Sequence, residues 1–126
     1  MAQKVNAIPT LDNQALNLTT FADIPGLSIS TLNGSGWIQL TYSASLYNTY
    51  AGSNQASFQL VIDDIAQPDS TAKQNLGQAA FMTIGRSLAY KLGAGQHTIK
   101  LQGSAISADI IISLRRGNLI LDEPGY

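Results

Sequence analysis

Apolar and polar residues alternate along most of this chain with a period of two, and Gly, Pro, Asn or Asp interrupts the alternation at short intervals. Leu16 and Leu18 open the pattern. Asp23-Ile24-Pro25-Gly26 predicts a turn into Leu27 and Ile29, and Asn33-Gly34-Ser35-Gly36 predicts a second, because Asn and Gly accept the positive φ of tight turns. The next strand carries Ile38, Leu40, Tyr42, Ala44 and Leu46 on one face and Gln39, Thr41, Ser43 and Ser45 on the other. Phe58, Leu60 and Ile62 form another inward face. Ile65 to Gln78, with Pro68 and Gly77 and no clean alternation, reads as a loop crossing one end. Met82, Ile84, Leu88, Tyr90 and Leu92 line one face of the following strand, and Gly85-Arg86 predicts a bulge or kink in it. Gly93-Ala94-Gly95 then turns into His97, Ile99 and Leu101. Ala108, Ile110, Ile112 and Leu114 come next, and Leu119 to Asp122 closes the series.

About eight such strands predict an all-β, antiparallel, two-sheet domain of the sandwich or jelly-roll kind over residues 14–126. Residues 1–13, broken by Pro9 and poor in core residues, predict an extended N-terminal arm whose anchors are Val5, Ile8, Pro9 and Leu11. The 126 residues suffice for one domain and one core. In Asp109 to Leu114 the outward position Ile111 is apolar as well, so both faces of that strand ask for burial. A subunit interface answers that demand, and Tyr42, Leu46, Tyr47 and Tyr50 supply the aromatic and aliphatic residues such interfaces favour. A lone exposed isoleucine is the plainer alternative.

Composition sharpens the interface reading. Apolar residues make up 44% of the chain and charged residues only 12%, about half the usual share. Exposed faces must then be covered by Ser, Thr, Asn and Gln, which cost less to desolvate than Lys or Glu. The net charge is −1 and the seven Lys and Arg residues are scattered, so no basic stripe offers itself to nucleic acid. No stretch has the length and apolarity of a membrane-spanning helix, and the N-terminus has no cationic-then-apolar leader, so the chain reads as made in soluble form in the cytoplasm.

Chemistry finds little footing. Without cysteine there are no disulfides or thiolate sites, and with His97 the only histidine one chain cannot build a multi-histidine metal site and has a single candidate base for a Ser/His/Asp triad. His97 is in phase with Ile99 and Leu101, which points to a hydrogen-bonded structural role. Asp63, Asp64 and Asp69 lack the spacing of a calcium loop and suit a strand-end turn, and neighbouring strand carboxylates face opposite ways, unlike a glycosidase pair. No catalytic residue, metal or cofactor is therefore expected, and the protein reads as a non-enzyme.

The run Leu92-Gly93-Ala94-Gly95-Gln96-His97-Thr98-Ile99-Lys100-Leu101-Gln102 resembles a phrase of trimeric jelly-roll domains, a Gly-ended turn followed by His-Thr-aliphatic-Lys-Leu-Gln. Phe21 to Leu27, Phe58 to Asp64 and Arg116 to Ile120 extend the likeness over most of the chain. The family is that of tumour-necrosis-factor and complement globular heads, with their relatives among bacteriophage virion proteins. The resemblance implies a homotrimer, and most of all a capsid decoration or cement protein on the virion surface, whose partners are itself and the major capsid protein or another virion protein, with the arm carrying Val5, Ile8, Pro9 and Leu11 as its expected capsid contact. An initiating Met with no stalk, repeat or coiled coil favours that role. The alternative is a receptor-binding head of a tail fibre, gripping a host glycan or protein with loop tips at Tyr47 to Gln55 and Pro68 to Gln78.

Overall fold

The computed structural model describes residues 3–8, 14–16, 20–33, 36–49, 52–77, 80–93, 95–105 and 112–123. Among them the elements are β1 (Gln3–Ala7), β2 (Gln14–Ala15), β3 (Ala22–Asn33), β4 (Gly36–Asn48), β5 (Asn54–Ile62), β6 (Ile65–Ala66), a 3-10 turn (Pro68–Ser70), β7 (Ala72–Leu76), β8 (Phe81–Leu92), β9 (Gly95–Ala105) and β10 (Ile112–Glu123). All described pairings are antiparallel. One sheet runs β1-β10-β4-β8, with β2 also on β10. The other runs β3-β9-β5-β6, with β7 also on β5. From β2 to β5 and again from β7 to β10 each strand falls in the sheet opposite its predecessor, and the chain is a two-sheet jelly-roll sandwich.

The period-two pattern builds the core directly. Ile38, Leu40, Tyr42, Ala44 and Leu46 of β4 are all buried, and they meet Ala56, Phe58, Leu60 and Ile62 of β5 and Ile99 and Leu101 of β9 from the facing sheet. The Tyr42 and Phe58 rings lie 6.4 Å apart, tilted by 43°. Tyr42 reaches through the core to donate its hydroxyl to the Ser70 carbonyl at 2.8 Å, and burial pushes its pKa up to about 12. Ser70, itself buried, accepts the Leu60 N–H through Oγ and donates to the Gln67 carbonyl. A polar tip in an apolar core is tolerated because it is hydrogen-bonded, and here the bond fastens the 3-10 turn to the middle of the sandwich.

Several local expectations need correction. Residues 65–78 are not one loop: β6 and β7 both pair with β5, and β7 escapes the pattern because only Leu76 of its five residues is buried. Asp23 to Gly26 lies inside β3, where the register against β9 shifts between Asp23 and Ser28 and Gly26 takes φ 90°. At Gly85 the β4–β8 register runs unbroken, with Gly85 opposite Ser43, and an added Cβ would come within 3.2 Å of the Tyr42 carbonyl. Glycine there permits close approach and makes no bulge; the irregularity falls in β10, between Leu114 and Arg116. Within the extended N-terminal arm expected over residues 1–13, residues 3–7 form β1, paired along its length with β10 from Gln3↔Glu123 to Ala7↔Leu119. Val5 sits opposite Leu121 in that ladder and Ile8 beyond it is exposed, while Pro9 and Leu11 lie outside the described residues.

Candidate assembly face and ligand cleft

Burial of one face of β4 and β8 turns the other outward. Along β4 this sets Trp37, Gln39, Thr41, Ser43, Ser45 and Tyr47 in a row, and the register brings Lys91, Ala89, Ser87, Gly85, Thr83 and Phe81 beside them in turn. Lys91, at one end, is the sole charge among these positions. The short polar chains satisfy one another within the sheet. Gln39 donates to Ser87 Oγ at 2.7 Å, Thr41 and Ser87 hydroxyls lie 2.9 Å apart, and Ser43 donates to Asn118 Oδ1 at 2.8 Å. Aromatics bracket the row: Trp37 is 54% exposed at one end, and at the other the Tyr47 and Phe81 ring centroids lie 4.5 Å apart, tilted by 37°, with Phe81 63% exposed. On β10 the register sets Asn118 opposite Ser43, Arg116 opposite Ser45 and Asp122 opposite Gln39. A flat surface of small, internally bonded polar groups rimmed by aromatics loses little solvation when covered by protein.

The expected interface residues divide. Tyr47 stands on this outward face, but Tyr42 and Leu46 have no exposed surface at all and belong to the chain's own core, where their alternation with Thr41 and Ser45 places them. Neither is offered to another subunit. Tyr50 and Ile111 lie outside the described residues. Sequence reasoning had Thr41, Ser43 and Ser45 as the opposite face of β4, but not their neighbours on β8, since strand adjacency is not written in either strand alone.

A second feature lies on the other sheet. Asn48, buried at the end of β4, donates its amide to the Gly52 and Gly77 carbonyls at 2.8 and 2.9 Å and so draws the β4–β5 connection and the end of β7 together. Beside them Ser53, Asn54, Gln55 and Asn75 line a shallow cleft of about 330 Å3. Gln55 and Asn75, directly opposite across β5 and β7, share a 2.9 Å amide bond. Asn54 is only 4% exposed, yet its Nδ2 has no hydrogen-bond partner among the described residues. An orphaned buried donor costs about 1–3 kcal/mol.

At the opposite end of β5 the Asp63-Asp64 hairpin turns with φ of 51° and 65°, values Asp tolerates better than most residues. His97 is held there by both ring nitrogens: Nδ1 lies 2.6 Å from Asp63 Oδ2 and Nε2 2.7 Å from the Gly93 carbonyl. Asp63 also accepts the Thr98 N–H at 2.9 Å. Neutral imidazole has one N–H and can satisfy one of these acceptors, whereas imidazolium satisfies both. Hydrogen bonding to Asp63, and then to Gly93, accordingly raises the His97 pKa, and bonding to His97 and Thr98 lowers that of Asp63. Asp23 is lowered too, chiefly by Gln102. Lys100 stands 3.4 Å from Asp23 and 3.7 Å from Asp64, exposed ion pairs that add little.

A pH dependence follows. The His97 contribution is complete below its ordinary value of 6.5 and is lost as pH rises through the raised folded value. Those of Asp63 and Asp23 are complete above 3.8 and are lost as pH falls through their lowered folded values. The melting temperature is expected to peak between these limits and to decline above pH 6.5, and His97→Gln should flatten that alkaline decline. An unchanged decline in the variant would remove His97 as its cause. Asp69, the third carboxylate considered for a cation, accepts the Tyr90 hydroxyl at 3.3 Å on another part of the surface. No cluster of three or more His, Cys, Asp or Glu able to hold a metal occurs among the described residues.

The sequence matches no family model and no curated protein. Solved structures are similar in fold. Eiger TNF from S. frugiperda superposes with a TM-score of 0.60 at 11% identity, covering 97% of this chain and 93% of that one. Murine APRIL at pH 5.0 gives 0.58 at 12%, covering 98% and 100%. The CBM36-1 domain of a multidomain xylanase from the hindgut metagenome of Trinervitermes trinervoides gives 0.53 at 13%, covering 98% and 100%. At such identities the likeness speaks for the fold, a jelly roll of the tumour-necrosis-factor type.

Proposed function

We propose that this protein is a non-catalytic assembly module that forms a homotrimer through the outward face of β4 and β8 and serves as a decoration protein on a bacteriophage capsid. The observation that carries the assembly reading is the double row from Trp37 to Tyr47 and from Phe81 to Lys91, short-chained and uncharged but for Lys91. Rows of Ser, Thr and Gly allow close approach of a second sheet. Three copies arranged about an axis close the contact as a ring and leave no face open for further growth. Attachment of three copies at once to a shell would give high avidity from modest individual contacts. The phage setting rests on the resemblance of the Gly-ended turn and the strand from His97 to Gln102.

A gold-labelled antibody against the purified protein, applied to phage particles from the strain that encodes it, tests the setting. Label scattered over the capsid is expected. Label confined to the tail tip would favour the fibre-head alternative, which the cleft beside Asn54 supports, and unlabelled particles would overturn the virion reading.

A further inference from the structure

We infer that His97 is a proton-operated clasp on the corner between β8 and β9, shut while its ring carries two protons and released at Gly93 when it carries one. β8 and β9 belong to opposite sheets, so no ladder joins them at this corner: Leu92 pairs with Gly36 in one sheet and Gly95 with Asn33 in the other. Among the described residues the corner is spanned by the 2.7 Å bond between His97 Nε2 and the Gly93 carbonyl. Gly93 is exposed, and a Cβ added to it would meet nothing within 4 Å, so its carbonyl has room to leave.

The other side of the ring is held firmly. Asp63 is tied to β9 twice, by its N–H to the Thr98 carbonyl at 2.8 Å and by Oδ1, which accepts the Thr98 N–H at 2.9 Å. Its Oδ2 lies 2.6 Å from His97 Nδ1. A neutral ring has one N–H for two acceptors, and a bond to a carboxylate is roughly twice as strong as one to a neutral carbonyl. The remaining proton therefore stays on Nδ1. Nε2 then turns a lone pair toward the Gly93 oxygen, acceptor against acceptor, and the carbonyl must draw back. Other charges stand close by without touching the ring. Asp64, in the same hairpin, is 3.7 Å from Lys100, which also lies 3.4 Å from Asp23. Thr31, opposite His97 on β3, is uncharged, and Lys91 lies on the outward face of β8 beside Trp37. Of these residue types histidine is the one that ordinarily titrates between about pH 5 and 8, and its bonds to Asp63 and then Gly93 move the release upward in pH. The device loosens one corner, next to the Leu92–Gly36 pair, and is distinct from any loss of overall stability.

The test is nuclear magnetic resonance of the full chain, labelled with 15N at glycine and histidine and recorded from about pH 5 to about pH 9, which brackets histidine. Above the His97 midpoint the ring nitrogens are expected to report a proton on Nδ1. The backbone order parameters of Gly93 and Gly95 should fall there from the roughly 0.85 of rigid chain to below about 0.6. His97→Gln should remove this pH dependence. Asp63→Asn, in which Asn accepts the same positive φ, removes the charge that keeps the proton on Nδ1. Its neutral ring should hold Gly93 through Nε2–H, and the corner should stay ordered across the range. Should His97→Gln fail to fold, Asp63→Asn decides alone. Order parameters that stay high through the midpoint, or a neutral parent ring protonated on Nε2, would overturn the inference. So would a corner that loosens with pH in either folded variant as it does in the parent.

Discussion

Thr83→Glu is expected to break the assembly into folded monomers. Thr83 stands on the exposed face of β8, opposite Ser45 and two residues from Gly85. In an isolated chain a new surface carboxylate there changes stability by no more than about 0.5 kcal/mol. In the proposed trimer the same carboxylate is covered in every copy, with no cation among its β4 neighbours. Burying an unpaired charge costs several kcal/mol, and each 1.4 kcal/mol is about tenfold in affinity, so the trimer should dissociate at micromolar concentration. Light scattering should report one chain per particle, while far-ultraviolet circular dichroism stays that of the parent. Lys73→Glu, on the outer face of the other sheet, should leave the mass alone. A Thr83→Glu variant that keeps the parent mass would show that this face is free.

Phe58→Ala should act on the fold itself. Phe58 has no exposed surface, packs its ring against Tyr42, and lies so close to β9 that a Cβ on Gly103 would come 3.1 Å from its Cε1. Sandwich cores of this thickness are filled by a few large side chains, and truncation leaves a cavity that backbone ladders on both sides prevent from collapsing. Phe→Ala changes in such sites cost about 3–5 kcal/mol, a large part of the roughly 5–15 kcal/mol that holds a domain together. The melting temperature is expected to fall by roughly 10–20 °C. A fall of only a few degrees would mean that the two sheets close over the gap and that the core is less rigid than its burial implies.

The contrast between these positions shows where sequence reasoning succeeds. Alternation from Ile38 to Leu46 is driven by burial on one side, so the strand, its face and its core residues are all legible from residue type, and Phe58, Leu60 and Ile62 keep their predicted inward phase although Val61 between them is buried as well. The same logic forbids an interface role for Tyr42 and Leu46, because a period-two strand cannot give one residue to the core and to a partner at once. β7 was not legible: Ala72 to Asn75 owe their strand geometry to the backbone ladder with β5, not to an apolar face. The cleft was hidden for the same reason, since Asn75 reaches Gln55 only through that ladder, although both fall within the loop tips marked for ligand contact. Pro25-Gly26 marks a real irregularity, a break in the β3–β9 register with Gly26 at positive φ, although the strand resumes beyond it, whereas at Gly85 the pairing runs unbroken and a further register shift falls between Leu114 and Arg116, where residue type gives no cue.

The central claim, self-association through the outward face of β4 and β8, is tested most directly by the mass of the unmodified protein in solution. Multi-angle light scattering across the micromolar range is predicted to give three times the chain mass of 13.4 kDa, unchanged on dilution through that range. A monodisperse particle of 13.4 kDa at every concentration would contradict the account.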